Sequence, residues 1–453
     1  MSRLAMALGM SLLCLLLIVP ASAQNTSATQ AAITVQDQAA LNGTVMISSA
    51  VIPQAGWLVI HAVVNGQPGP TVGIAPLQAG QNQNVSVMID ALGATPQLMA
   101  ELHQDTGTTG MYEFDVKPDT DLPVTQNGQP VQAGFQIAGI AAFPQMILNN
   151  TATIGSVITS QPAQVVITTD NNGQLGTVLG SVQVPAGTTP GVKVPLNSPL
   201  QAQTLWAILS TGGASSGAAT PLMINNTPVS VSFQNATTPQ IVTVLGTPIN
   251  ATNIPQLNVV SATGLGIDVN GSLQVSNVIA PSAGWVEVHA DSGGHPGKML
   301  GMINIPQGQS SNITVPLNAK MVPAVAPTTL PASVWPMLHV DDGQPGVYEY
   351  LMVPGVDVPV VVNGSVLTYM VTATQQPAPA TTAQPTESAT APATSEVTAQ
   401  PTAEVSATVT APATSQVTVE ATLPVTAEAT TPATLEVTPA TAEATAQATI
   451  SGG

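Results

Sequence analysis

The sequence predicts an all-β protein: three tandem immunoglobulin-like β-sandwich repeats followed by a disordered C-terminal tail. Short segments rich in Val, Ile and Thr are separated by Gly, Pro and Asn, and turn signals every 8 to 12 residues or so are typical of sandwich strands. One ordered set of motifs occurs twice, with a fainter copy between. Near residue 374 the composition changes to Thr, Ala, Pro, Val and isolated Glu, too dilute in apolar residues to fold.

Residues 1–23 have the features of a secretion signal. Arg3 precedes an apolar stretch over 12–19, and Ala21, Ser22 and Ala23 supply the small residues of a cleavage site. The single cysteine, Cys14, lies inside this segment. We therefore expect a secreted or cell-surface protein without a disulfide, and no later stretch has the roughly 20 apolar residues of a membrane helix.

The charge balance excludes some classes of partner. The chain has 23 acidic residues and 5 basic ones, and its single arginine, Arg3, lies within the predicted signal. A strongly acidic surface repels polyanions, so we expect no binding to nucleic acid or anionic lipid. The partners that we expect are cell-envelope glycans or other surface proteins.

Self-comparison divides the chain into units of about 100 residues, a normal size for one domain. Repeat one is predicted over 24–137, a degenerate repeat two over 138–236, a linker over 237–255, repeat three over 256–373 and the tail over 374–453. The motifs shared by repeats one and three, in order, are Ala55-Gly56-Trp57 with Ala283-Gly284-Trp285, Leu102-His103 with Leu338-His339, Tyr112-Glu113-Phe114 with Tyr348-Glu349-Tyr350, and Asn127-Gly128 with Asn363-Gly364. Repeat two keeps the apolar frame but has Thr168 and Ser210 where the others have His.

Alternation along a strand separates a core face from a second face. Leu58 and Ile60 correspond to aliphatic residues in all three repeats, whereas Trp57 and His61 correspond to variable ones. The Trp and His side chains are therefore predicted to face away from the main core. If the two His-bearing strands are neighbours, each full repeat would display Trp, two His and an Asp on one surface.

This face is the candidate site, and two interpretations of it remain open. In one, the His side chains belong to a structural hydrogen-bond network shielded by Trp. In the other, imidazole and carboxylate bind a divalent transition metal such as Zn²⁺, Cu²⁺ or Ni²⁺. The candidate ligands are His61, His103, Asp105, His289, His339 and Asp341, with Trp57, Glu113, Trp285 and Glu349 in support.

The segments that follow the second His are predicted to be turns. Asp105 and Asp341 each begin a Gly-containing stretch that favours a hairpin turn over a Ca²⁺ loop, because the alternating oxygen ligands of an EF-hand are missing. Tyr112-Glu113-Phe114 and Tyr348-Glu349-Tyr350 are predicted to be the returning strands. The Asn-Gly pairs predict type I′ turns.

No motif indicates an enzyme. The sequence contains no Gly-x-Ser-x-Gly elbow, no His-Glu-x-x-His and no phosphate loop. The first hypothesis is a non-enzymatic structural or adhesion-type surface protein without a cofactor. The alternative is an extracellular protein that binds one divalent metal ion in each of repeats one and three.

The ordered set Gly-Trp-x-Val-Ile-His, Leu-His-x-Asp-x-Gly, Tyr-Glu-Phe and Asp-x-Pro-Val resembles a family of secreted prokaryotic domains of unknown function. Such domains occur in tandem in surface proteins with Thr-rich tails. The resemblance covers repeats one and three, and it implies location and architecture but no activity.

Overall fold

The computed structural model describes residues 30–117, 119–197, 200, 203–212, 219–319 and 329–373. They belong to the first of two units of the chain, Met1–Ala380, and the second, Thr381–Gly453, lies outside them. The predicted secretion signal over 1–23 and the predicted tail over 374–453 also lie outside the described residues. Within the described part every regular element is a strand, and no helix there is long and apolar enough to cross a membrane.

The strands follow one another in the order of the repeats. Repeat one contains β1 (Ala32–Thr34), β2 (Gln38–Leu41), β3 (Thr44–Ile52), β4 (Gly56–Val64), β5 (Gln67–Leu77), β6 (Gly80–Met88), β7 (Gln97–Gln104), β8 (Thr125–Gln126), β9 (Gln129–Pro130) and β10 (Gln132–Ala141). Repeat two contains β11 (Thr151–Thr159), β12 (Ala163–Asn171), β13 (Gln174–Val184), β14 (Gly187–Pro195), β15 (Gln203–Ser210), β16 (Met223–Ile224), β17 (Thr227–Pro228) and β18 (Ser230–Asn235), and is followed by β19 (Ile241–Thr243). Repeat three contains β20 (Gln256–Thr263), β21 (Asn270–Ala280), β22 (Gly284–Asp291), β23 (Pro296–Ile305), β24 (Gly308–Asn318), β25 (Ser333–Val340), β26 (Val360–Val362), β27 (Ser365–Val366) and β28 (Val371–Thr372).

All three repeats share one strand order, which confirms the predicted all-β fold of sandwich repeats. Four strands run in the order β5-β4-β7-β10, β13-β12-β15-β18 and β23-β22-β25-β28. The opposing layer pairs β3 with β6, β11 with β14, and β21 with β24. Leu58 and Ile60 lie fully buried between the two layers, as do their counterparts in the other repeats. The core face was therefore predicted correctly.

The repeats are joined more closely than the sequence suggested. The first half of β10 pairs with β7, and its second half pairs with β11 of repeat two. The predicted boundary at 137/138 thus falls inside a shared strand. The segment 237–255 also contributes structure, because β19 pairs with β26 of repeat three.

The Asn-Gly pairs adopt the predicted turns. Asn127 and Gly128 both have positive φ, as do Asn363 and Gly364, which is the conformation that a type I′ turn requires. Asn363 does more than turn the chain, since its side chain accepts the Met146 N–H at 2.6 Å and donates to the Met146 carbonyl at 2.9 Å. It therefore ties repeat three to repeat two.

Candidate metal centre

The two His-bearing strands of repeat one are neighbours. In the pairing of β4 with β7, Trp57 lies opposite His103 and Val59 lies opposite Glu101. His61 is two residues beyond Val59 on the same face. The expected juxtaposition of Trp and two His on the side away from the main core is therefore present.

This face is buried, so the expected display on a surface is wrong. His103 is 0% exposed and Glu101 is 6% exposed. Tyr112 and Phe114 pack edge-on against the His103 ring at centroid distances of 5.5 and 5.1 Å. The segment that carries them is a loop, which corrects the predicted returning strand, and it closes over the sheet as a lid of aromatic side chains.

In repeat one, two imidazoles converge on one carboxylate oxygen. Glu101 Oε2 lies 3.1 Å from His103 Nε2 and 3.4 Å from His61 Nε2. The opposite ring nitrogens contact backbone carbonyls: His103 Nδ1 is 2.6 Å from the Asp121 oxygen and His61 Nδ1 is 3.1 Å from the Gly69 oxygen. One ligand atom from each of the three side chains lies within 4.8 Å of the others.

Repeat three builds an equivalent cluster. Glu287 Oε2 is 3.1 Å from His289 Nε2, and Glu287 Oε1 is 3.2 Å from His339 Nδ1. The ring nitrogens His289 Nδ1 and His339 Nδ1 also contact the carbonyls of Gly297 and Asp357, at 2.9 and 2.7 Å. His339 Nε2 is buried without a hydrogen-bond partner. Among the described residues these are the two groups of His and acidic side chains that could hold a metal ion.

The carboxylate comes from opposite strands in the two repeats. In repeat one Val59 on the first strand faces Glu101 on the second, whereas in repeat three Glu287 on the first strand faces Met337 on the second. Each cross-strand pair therefore supplies one acid and one apolar residue. In repeat two the pair is Val166 with Ile208, so the carboxylate is lost together with both His.

Burial and the shared carboxylate determine the charge of these clusters. Burial raises the pKa of Glu101, but the hydrogen bonds and charges of His103 and His61 outweigh it and lower this pKa to about 2. In repeat three burial acts to lower the pKa of His289, yet the hydrogen bond and charge of Glu287 raise it above its ordinary value. Burial keeps the pKa of His339 lowered. Of the two imidazoles, His289 is therefore the easier to protonate.

Asp105 and Asp341 lie outside the clusters, which corrects their placement among the candidate ligands. β7 ends at Gln104, so Asp105 begins the loop, where its carboxylate accepts the Gly110 N–H at 3.1 Å. Asp341 likewise follows β25 and accepts the Gly346 N–H at 2.8 Å. Both are turn residues, as their sequence context also suggested.

Glu113 and Glu349 hold the loops in shape. Glu113 Oε2 accepts the Thr108 N–H at 2.7 Å, and Glu349 Oε2 accepts the Gln344 N–H. Buried Asp121 accepts the Glu113 N–H at 2.6 Å, and Asp357 accepts the Glu349 N–H at 2.7 Å. These supporting acids therefore fix the aromatic lids and do not join the clusters.

The loop of repeat three has an acid, Asp342, where the loop of repeat one has Thr106. Asp342 Oδ1 accepts the Asp357 N–H at 2.7 Å, as Thr106 Oγ1 accepts the Asp121 N–H at 2.7 Å. Burial, together with the charges of Asp341 and Asp342, raises the pKa of Asp357 from 3.8 to about 6. The unfolded chain therefore ionises first, and stability falls as the pH rises through this window.

We expect Asp342→Thr to stabilise repeat three by about 1 kcal/mol at about pH 7.5 and by much less at about pH 3.5. The substitution keeps the acceptor oxygen and removes the neighbouring charge. Urea unfolding at the two pH values measures the effect, and Thr106→Asp is the matched control, expected to destabilise repeat one. An equal gain at both pH values would contradict this account.

Sequence reasoning missed Glu101 and Glu287 as members of the site. Each lies on the second face of its strand, but the other repeat has no acid at the same position. Repeat three has Met337 where repeat one has Glu101, and repeat one has Val59 where repeat three has Glu287. Searching for residues shared by both repeats therefore discarded them. Comparing cross-strand pairs instead of single positions would have found the carboxylate.

Comparison with known protein families finds two matching segments in the chain. A family model described as a domain of unknown function, DUF7282, matches residues 31–138 and 262–374. These segments are repeats one and three, which carry the two clusters. The search of curated proteins found no significant match.

Proposed function

We propose that repeats one and three, the two segments that match the DUF7282 family model, each hold one divalent transition-metal ion. The chain is then an exported, non-enzymatic metal-binding protein with two buried centres. The observation that carries the proposal is that two imidazoles in each repeat converge on one buried carboxylate. The predicted glycan or protein partners stay predictions.

The first argument for an ion is the number of hydrogen-bond acceptors around each ring. His103 has the Asp121 carbonyl on one side and the Glu101 carboxylate on the other. A neutral imidazole has one N–H and can satisfy one of them. The other nitrogen then directs its lone pair at a carboxylate oxygen, unless a proton or a metal ion lies between.

A second proton is a poor solution, because two buried imidazolium rings would repel each other. The His61 and His103 centroids are 5.9 Å apart and the ligand atoms are closer. Two positive rings this close would repel each other strongly in a site of low dielectric constant. A divalent cation supplies the positive charge while leaving both imidazoles neutral.

The observed distances suit a small cation. Two ligands about 2.05 Å from a tetrahedral ion are about 3.3 Å apart. The nitrogen to carboxylate distances are 3.1 and 3.4 Å in repeat one, and 3.1 and 3.2 Å in repeat three. In His61, His103 and His289 the carbonyl contact of Nδ1 is the outer contact that orients a metal-binding His. In His339 Nδ1 faces both the Asp357 carbonyl and Glu287, and Nε2 is the nitrogen without a partner. Two nitrogens and one carboxylate oxygen suit Zn²⁺, Cu²⁺ or Ni²⁺.

Repeat two supports the proposal as an internal control. Its strands β12 and β15 keep the same pairing, but Thr168, Ser210, Val166 and Ile208 stand at the corresponding positions. All three ligand types are absent together. Their joint absence indicates that the two His and the acid act as one unit.

Metal content tests the proposal directly. We expect the full chain to bind about two equivalents of Zn²⁺, one each in His61→Leu and His289→Leu, and none in the double variant. Elemental analysis after gel filtration counts the ions, and Thr168→Leu is the control in repeat two. If wild type and double variant retain equal metal, or neither retains any, the proposal is wrong.

The first hypothesis from the sequence, a structural protein without metal, has one observation in its favour. The hydrogen bonds and charges of His103 and His61 lower the pKa of Glu101 to about 2, so these contacts favour the buried carboxylate without a metal ion. Under that hypothesis the purified protein is metal-free. The His variants would then lower the free energy of unfolding without changing any ligand content.

A further inference from the structure

Triplets of the form Asn-x-Ser or Asn-x-Thr recur along the chain. In exported proteins such a triplet is the acceptor of an N-linked oligosaccharide when its Asn lies on the surface. Several of these asparagines are used in the fold instead. Asn363 donates its amide nitrogen to the Met146 carbonyl at 2.9 Å. Asn225 likewise donates to the Asp37 carbonyl, and Asn235 is only 6% exposed. The structure therefore separates triplets whose amide is occupied or buried from those whose amide is open.

Two open triplets lie at the same place in repeats one and three. Asn84-Val85-Ser86 lies in β6, and Asn312-Ile313-Thr314 lies in β24. Both asparagines are exposed and have positive φ, 51° and 56°. Neither side chain has a hydrogen-bond partner among the described residues. Each strand also has a single hydrogen-bonded neighbour in its layer, so a group attached to either Asn has room to extend into solvent.

Repeat two shows the same position when it is covered. Gly191 of β14 stands there, flanked by ladder pairs in the same way as Asn84 and Asn312, and its φ is 58°. A Cβ atom at Gly191 would lie 3.7 Å from Ser365 Oγ of repeat three. The left-handed backbone explains why all three positions hold Asn or Gly. It does not explain the hydroxyl residue two positions later, which is present at the two open positions and absent at the covered one.

We infer that Asn84 and Asn312 are N-glycosylation sites, and that each receives an oligosaccharide from a lipid pyrophosphate donor after export. In the transfer, Asn Nδ2 attacks C1 of the first sugar as the bond from C1 to the pyrophosphate oxygen breaks. The lipid pyrophosphate leaves with the electron pair, and a base of the transferase accepts the proton that the amide nitrogen loses. The step needs no oxidant or reductant. The inference rests on the predicted export of the chain and is independent of the metal centres.

Peptide mass spectrometry of the full chain from its native cells tests the inference. We expect an oligosaccharide mass on the peptides that contain Asn84 and Asn312. Ser86→Ala should abolish the first and Thr314→Ala the second, because each removes the hydroxyl residue of the acceptor triplet. These variants keep both asparagines, whereas replacing Asn by Gln would strain a backbone with positive φ.

Asn65 supplies a matched control in the turn between β4 and β5. It is exposed and has a φ of 52°, as Asn84 does, but Gln67 stands where an acceptor triplet has Ser or Thr. We expect the wild-type peptide with Asn65 to be unmodified. Gln67→Thr completes the triplet and should add an oligosaccharide there.

The outcomes are distinct from those of the metal experiments. Unmodified Asn84 and Asn312 in the native chain overturn the inference, and so does a modification that persists in Ser86→Ala and Thr314→Ala. Modification of Asn363 also overturns it, because the amide that binds Met146 would then not be protected by the fold. Metal content should be the same in wild type and in both variants, so either proposal can fail while the other stands.

Discussion

Glu101→Met will empty the metal centre of repeat one, and adding Val59→Glu will restore it. The double variant reproduces the arrangement of repeat three, where the acid stands on the first strand and Met faces it. Both positions lie between the same two His on the same face. The rescue follows if the site needs a carboxylate between the imidazoles and is indifferent to the strand that supplies it.

The expected effect on stability is large. Removing one member of a buried, paired charge cluster costs about 3 to 5 kcal/mol, and we expect Glu101→Met to fall in this range when metal is present. The double variant should recover most of it, because the two positions are in direct contact and their effects are not additive. Urea unfolding with and without Zn²⁺, together with metal content, measures both results.

The opposite exchange in repeat three is the matched control. Glu287→Val should lose the second ion, and the further change Met337→Glu should restore it. If either double variant binds no more metal than its single variant, the carboxylate position matters beyond its charge. The symmetry between Glu101 and Glu287 would then be coincidental.

The sequence was sufficient to predict the all-β fold and the two faces of the first His-bearing strand. Leu58 and Ile60 point to the main core and Trp57 and His61 point away from it, because the period of two in a strand fixes sides once the register is known. Three copies of one unit supplied that register. That the two His-bearing strands are neighbours was only a condition in the sequence analysis, and the pairing of β4 with β7 establishes it.

The composition of the site could not be predicted from single positions. Glu101 and Glu287 become equivalent only through cross-strand pairing, which is a tertiary property. The burial of His103 depends on the aromatic loop that folds back from Tyr112. Asp105 was predicted to be a ligand because it lies two residues after His103 in the sequence. The strand β7 ends at Gln104, however, so Asp105 belongs to the loop that follows and lies outside the cluster.

Gly284 shows how closely the backbone around the site is packed. A Cβ atom at this position would lie 2.1 Å from the carbonyl oxygen of His339, and one at Gly56 would lie 2.2 Å from that of His103. Both are contacts with backbone atoms, which cannot rotate out of the way. The equivalent residue in repeat two, which lacks the His, is Ala163.

We expect Gly284→Ala to destabilise repeat three by about 3 kcal/mol, the upper end of the cost of overpacking a core. The methyl group must push β22 away from β25, which moves the His339 backbone and weakens metal binding in repeat three alone. Because repeats can unfold separately, amide hydrogen exchange in β22 and β25 is the suitable measurement, with metal content as the second.

Ala163→Gly is the matched control, since it makes the reverse change at the corresponding place. It should cost about 1 kcal/mol, from a lost methyl group and a more flexible unfolded chain. If Gly284→Ala proves as mild as this control, the two strands can separate without loss. The close approach would then have no part in holding His339 beside Glu287, and the glycine would be explained by the turn before the strand alone.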